Sequence, residues 1–167
     1  MKPTHLGLGL FLIAHAMLFA SFASVWLFLR QSDPSFHGFI AMINTASPFA
    51  VRWYTPVVVG LVTAGVTVHL AARNPHKQLR IAALGVLILV CAISALTLRS
   101  LVEVSAPATS NVLALFTVLE AVWLMHGIAA CIALGIGLFR PHSPVTAVFV
   151  LFTAAGWALF RVGFMLT

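Results

Sequence analysis

Three residues in this chain place a titratable group in a wholly apolar setting: His15, Glu120 and His126. His15 stands in "LFLIAHAMLFASF", the other two in "LFTVLEAVWLMHGIAACIALG". Ionisable groups inside hydrocarbon are expensive, so those that persist are candidates for ligand contact, proton handling or cofactor binding. Two imidazoles on facing helices are able to hold a haem iron between them. Imidazole also titrates near neutral pH and can pass protons. A carboxyl group can carry a proton or meet a lipid headgroup. Each has a plainer reading. A neutral histidine can be hydrogen-bonded within a helix bundle, and a neutral acid can be hydrogen-bonded across a helix interface.

Spacing separates these possibilities. Glu120 precedes His126 by six residues. Six residues turn a helix by about 600°, so the two side chains face different directions and a relay through both is disfavoured. His69, in "VTVHLAARN", lies about 5 Å from the end of its apolar run and reads as interfacial. Arg99 and Arg161 lie near run ends, where long cationic side chains snorkel to the interface. Cys91 and Cys131 fall in separate apolar runs without CxxC spacing, which favours small core residues over a redox or zinc motif. No phosphate loop, nucleophile elbow, carboxylate pair or metal-ligand cluster is present in the sequence.

The elements that must carry these residues are membrane helices. The chain has 167 residues, 62% hydrophobic and 7% charged, with a mean hydropathy of +1.10. A soluble domain is far less apolar and carries about a quarter charged residues. The pI of 10.8 does not signal nucleic-acid binding, because the nine Lys and Arg are spread along the chain rather than clustered. Five runs reach the roughly 20 residues that a span requires. They are placed at about 6–29, 54–72, 81–102, 112–138 and 145–166, giving an all-α bundle of five transmembrane helices in one membrane domain. The first run is too long for the apolar region of a signal peptide and reads as a span. Asp-Pro, Asn-Pro, Ala-Pro and Arg-Pro steps punctuate the connections. In the first connection, "GFIAMI" suits a short segment lying in the interface.

Gly and Ala recur in the spans and predict close helix packing. Trp26, Trp53, Tyr54 and Trp157 suit interface or packing positions. One side of the membrane receives Lys2, Arg73, Lys77, Arg80 and Arg140, the other Arg30, Arg52, Arg99 and Arg161. The short loop "RNPHKQLR" weighs most in the positive-inside rule and puts the N-terminus in the cytoplasm, with the C-terminus outside. Depth counting sets His15 about 14 Å and His126 about 18 Å from the same side, so the two are expected to meet across a helix pair.

"LFLIAHAMLFASF" resembles the signature span of subunit III of haem-copper oxidases, the cytochrome c and quinol oxidases. That span reads L-F-hydrophobic-x-S-E-x-M-x-F-x-x-F in the family. Leu10, Phe11, Met17, Phe19 and Phe22 match it; Ala14 falls on the serine and His15 on the glutamate. Val66, Thr67, Val68 and Ala71 are similar to the end of the next family span. His126 and Gly127 fall on the first His-Gly of a later motif, whose second histidine is Ala129 here. The resemblance implies a shorter, five-span form of this subunit, without cofactors of its own. It implies association with subunits I and II, which carry haem and copper, and structural phospholipid in a cleft between helices. Its role would be to stabilise subunit I and sustain proton uptake in a bacterial inner membrane. His15, Glu120 and His126 then become buried polar or lipid-contact sites. The competing reading is a small membrane cytochrome b or quinone-site anchor with His15 and His126 as haem ligands.

Overall fold

In a computed structural model the chain is all-α. The structure describes residues 3–32, 52–73, 76–105, 111–139 and 144–165. Five helices account for nearly all of these: α1 (Pro3–Ser32), α2 (Tyr54–Arg73), α3 (Lys77–Ser105), α4 (Asn111–Gly137) and α5 (Pro144–Met165). All five are long and apolar enough to cross a membrane, as their positions in the sequence predict. The protein is therefore a multi-pass membrane protein. The "GFIAMI" segment lies outside the described residues.

The helices start and stop where the local chemistry directs. Proline is tolerated in a first turn, where its missing N–H has no helical partner, and Pro56 and Pro144 sit there. The helix α2 stops ahead of the Asn74-Pro75 step, because a residue before proline is pushed out of the helical region. Hydrocarbon offers no partner to a stray hydroxyl, and several in the spans turn back on their own helix. Ser21, Ser24, Thr63, Thr67, Thr97 and Thr117 each donate to the carbonyl four residues earlier. Arg80, at the start of α3, donates to the Gly137 carbonyl at the end of α4, 3.0 Å away. A cation there satisfies a carbonyl that helix geometry leaves open.

Four helices close a ring: α2 packs on α3 and α5, and α4 packs on α3 and α5. Leu61, Leu87, Trp123, Val150 and Trp157 fill its interior. Exposed Val59, Ile88, Leu89, Met125, Ile132 and Leu159 cover its outside. Lipid is as apolar as such side chains, so fit rather than hydrophobic gain must hold the ring. Glycine supplies the fit at two places. A Cβ on Gly127 would lie 2.8 Å from both Cys91 Sγ and Trp157 Cζ3, and one on Gly156 would collide with the Trp123 ring.

The first helix stands apart. It lies against α4 and touches α5 through Phe11 and Phe149, whose rings are 5.9 Å apart. Only 6% of its span is buried, against a third or more of every other span. The main attachment is a flat stack of Phe19 on Trp123, with centroids 4.0 Å apart and planes 5° apart. Nearer its C-terminal end, Trp26 joins Leu101, Leu113, Phe116 and Leu119 in a second apolar cluster.

Candidate functional site

The polar residues singled out by sequence fall into two separate centres. The first joins α1 to α4. His15 and His126 meet there with ring centroids 5.1 Å apart and planes at 78°, as depth counting predicts. Each ring also bonds its own helix: His15 Nδ1 lies 2.9 Å from the Phe11 carbonyl and His126 Nδ1 2.8 Å from the Val122 carbonyl. A carbonyl oxygen only accepts, so both Nδ1 atoms carry the proton. A neutral imidazole that donates through Nδ1 accepts through Nε2. No group among the described residues hydrogen-bonds either Nε2. Around the pair stand Phe11, Phe19, Trp123 and Phe152, with centroid distances to one or the other imidazole from 3.9 to 6.4 Å.

This arrangement does not fit a haem. Axial imidazoles must aim their nitrogens at each other through a flat macrocycle. Here the two rings meet edge to face, with no gap for a macrocycle. Among the described residues no third His, Cys, Asp or Glu joins them to complete a metal site.

Below the pair, a cleft of about 500 Å³ runs between α1, α4 and α5. Its walls are apolar and rich in rings: Phe19, Phe22, Trp26, Trp123, Phe152 and Phe160. Neither histidine lines it; Ala16, which follows His15 in the chain, does.

The second centre lies inside the four-helix ring. Glu120 and Arg161 are both fully buried and form an ion pair through Oε1 and Nη2. Trp157 Nε1 donates to Glu120 Oε2 at 3.4 Å, and Arg161 Nη2 reaches Ser94 Oγ at 3.4 Å. Tyr54 donates its hydroxyl proton to the Arg161 carbonyl, and the Arg161 guanidinium lies 4.8 Å from the centre of the Tyr54 ring. All four ring helices thus contribute to it. Two guanidinium nitrogens, Nε and Nη1, have no hydrogen-bond partner. The guanidinium carbon also lies 5.8 Å from the centre of the Trp157 ring.

This centre corrects two expectations. Arg161 does not snorkel: it is 0% exposed. Glu120 is bonded across a helix interface, as one reading expects, but its partner there is the Arg161 guanidinium. The reason lies in α5, where Val150, Thr153, Ala154, Trp157 and Arg161 share one inward face at helical spacing. Snorkelling would require Arg161 to abandon a partner at its own level. Glu120 and His126 do face different ways, one into the ring and one towards α1. The other sequence readings fall near expectation. His69 is exposed near the end of α2. Arg99 pairs with Glu103 on the surface at 3.0 Å. Trp26 and Trp157 pack, and Trp53 is exposed. Cys91 and Cys131 are free thiols, but their sulfurs touch across α3 and α4 at 4.0 Å, which spacing alone does not reveal.

No family model, curated protein or solved structure matches the chain.

Proposed function

We propose that the chain is an accessory, non-catalytic membrane subunit that acts as a subunit III beside a haem-copper oxidase subunit I. One observation carries the proposal. Two positions that the resemblance aligns in distant spans, His15 on the family's glutamate and His126 on its first histidine, touch in space. Phe11, Phe19 and Phe22 of the same signature also turn towards this seam or the cleft below it. A resemblance by chance composition gives no reason for aligned positions to converge.

The cleft supports the associated lipid role. Its apolar, ring-lined walls suit the acyl chains of a structural phospholipid. The ion pair suits a scaffold, because it joins four helices in one fixed arrangement. Haem and copper would reside in subunits I and II. Orientation gains support from Arg161. A guanidinium buried against a carboxylate no longer counts among loop cations, so the margin becomes five against three for a cytoplasmic N-terminus. The bacterial inner membrane is the proposed location.

The test is affinity purification of the tagged chain from native membranes in a gentle detergent. Recovery of a haem-copper subunit I is the expected result. Under this reading, His15→Ala reduces the yield of the complex and leaves its haem spectrum unchanged. Recovery of the chain without any oxidase subunit overturns the proposal. So does a haem spectrum that changes while assembly stays intact.

A further inference from the structure

The chain has two cysteines in 167 residues, and they touch. Cys91 lies on α3 and Cys131 on α4, 40 positions apart, with their sulfurs 4.0 Å from each other. A core residue meets about 6–12 others, so two given residues of a chain this long meet about one time in twenty. Both are free thiols, and one donates its hydrogen to the other's sulfur.

The helices are shaped to bring this pair together. The Arg80–Gly137 bond sets the start of α3 level with the end of α4, so the two run antiparallel. From that bond Cys91 is 11 residues along α3, and Cys131 is six residues back along α4. The offset of five residues is about 7 Å. Side chains tilt towards the N-terminus of their own helix, so in an antiparallel pair these two lean towards each other across it. Gly127, one turn before Cys131, clears the space between: Cys91 Sγ lies 2.8 Å from where a Cβ would stand. A disulfide needs Cα atoms about 4.4–6.8 Å apart, and a glycine at this place allows such an approach.

The surroundings select the reaction. Cys91 is buried, and half-buried Cys131 stands beside Ile128 and Ile132 on the outside of the ring. Two sulfurs make no metal site, since among the described residues no third His, Cys, Asp or Glu joins them. Hydrocarbon disfavours a free thiolate, and thiol–disulfide exchange with water-soluble partners runs through one. A neutral, apolar oxidant avoids that barrier. Hydroperoxides of acyl chains are oxidants of that class.

We propose that Cys91 and Cys131 are a redox pair that reduces a membrane-dissolved organic hydroperoxide and closes to an interhelical disulfide. Cys131, the more exposed, attacks the terminal peroxide oxygen through Sγ. The O–O bond breaks and the thiol proton passes to the departing oxygen, which leaves an alcohol and a sulfenic acid on Cys131. Cys91 Sγ then attacks the Cys131 sulfur, the S–O bond breaks, and the Cys91 proton leaves with the hydroxyl as water. Two thiols are oxidised and one hydroperoxide is reduced. The bridge closes beside Gly127, against which Trp157 also packs, so it pins α3 to α4 next to a residue that bonds Glu120.

The experiment exposes the full reduced chain, in phospholipid nanodiscs freed of reductant, to cumene hydroperoxide. Remaining thiols are counted by maleimide labelling after denaturation, and the intact mass is measured without reductant. Both thiols should disappear, the mass should fall by two hydrogens, and digestion should yield the Cys91 and Cys131 peptides joined. Oxidised glutathione at the same concentration should leave both thiols free. With Cys91→Ala the reaction should stop at a sulfenic acid on Cys131, which dimedone captures. Two free thiols after hydroperoxide overturn the proposal, as does a disulfide formed only between separate chains. Equal thiol loss with oxidised glutathione overturns the choice of oxidant. Capture in Cys131→Ala but not in Cys91→Ala overturns the order of attack. The thiol count is made on the unmodified chain, so it decides even where a variant fails to fold. It needs no oxidase partner, so its outcome is separate from that of the subunit III reading.

Discussion

Replacing Glu120 by glutamine should be among the most damaging conservative changes this chain can take. Both partners of the Glu120–Arg161 pair are 0% exposed, so water cannot replace the lost carboxylate. Of the guanidinium nitrogens, Nε and Nη1 have no hydrogen-bond partner, and Nη2 meets only the Glu120 carboxylate and Ser94 Oγ, the latter at 3.4 Å. Removing one member of a buried pair costs about 3–5 kcal/mol, because the other is left uncompensated. Glutamine preserves shape and one acceptor, so Glu120→Gln belongs near 3 kcal/mol and Glu120→Ala near 5 kcal/mol. Membrane insertion gives an independent figure of the same size, about 2.5–3.5 kcal/mol for an arginine at the centre of a helix. A loss of about 3 kcal/mol shifts the folding equilibrium by about 150-fold. The assay is reversible unfolding in mixed micelles, with a double-mutant cycle built from Glu120→Leu and Arg161→Met. Removing both charges together, as Glu120→Leu with Arg161→Met, should return stability to within about 1 kcal/mol of the parent, since apolar replacement of a whole pair is often neutral. A Glu120→Gln cost below 1 kcal/mol, or single effects that simply add, would refute the claim that these charges depend on each other.

Two further changes test packing and surface separately. Gly127→Ala puts a methyl group 2.8 Å from Cys91 Sγ and Trp157 Cζ3, so micellar unfolding should show a loss of about 1–3 kcal/mol. Glu103→Ala breaks a pair whose side chains are 78% and 63% exposed, and should move stability by less than about 0.5 kcal/mol in the same measurement.

The five helices were legible because lipid imposes a length and an apolar composition that few other contexts demand. The His15–His126 contact was legible for a related reason: two antiparallel spans fix depth, and depth alone brings the residues level. The same arithmetic also holds for the ion pair. Glu120 lies 17 residues before the end of α4 and Arg161 lies 17 residues after the start of α5, which places them at one level across the hairpin. Arg161 lies four residues from its helix end, which by itself points to the interface, whereas a partner at its own level holds it inside. The signal was the spacing of Trp157 and Arg161 on one face, opposite the only other deep charge. Tyr54 and Ser94 carry no comparable signal, since a tyrosine at a span start and a serine within a span each have many ordinary explanations.

The two polar centres differ in what they can tolerate, and the difference follows from where each sits. The ion pair is enclosed by four mutually packed helices, each of which contributes a side chain to it. Moving any one helix exposes an unpaired charge to lipid, so that centre resists change. The histidine pair sits on a seam where one partner helix is barely buried and is held largely by aromatic contacts. The Phe19–Trp123 stack is worth about 0.5–1.5 kcal/mol beyond its contact area, small beside the cost of opening the ring. Trp123 links the two regions. One face of its ring carries α1 through Phe19, and its edge is seated on Gly156 of the ring helix α5. Displacing α1 would widen the cleft and separate the histidines without breaking the ion pair. The shape of the cleft and the attachment of α1 therefore depend on the same residues, Phe19 and Trp123, while the scaffold beneath them stays fixed.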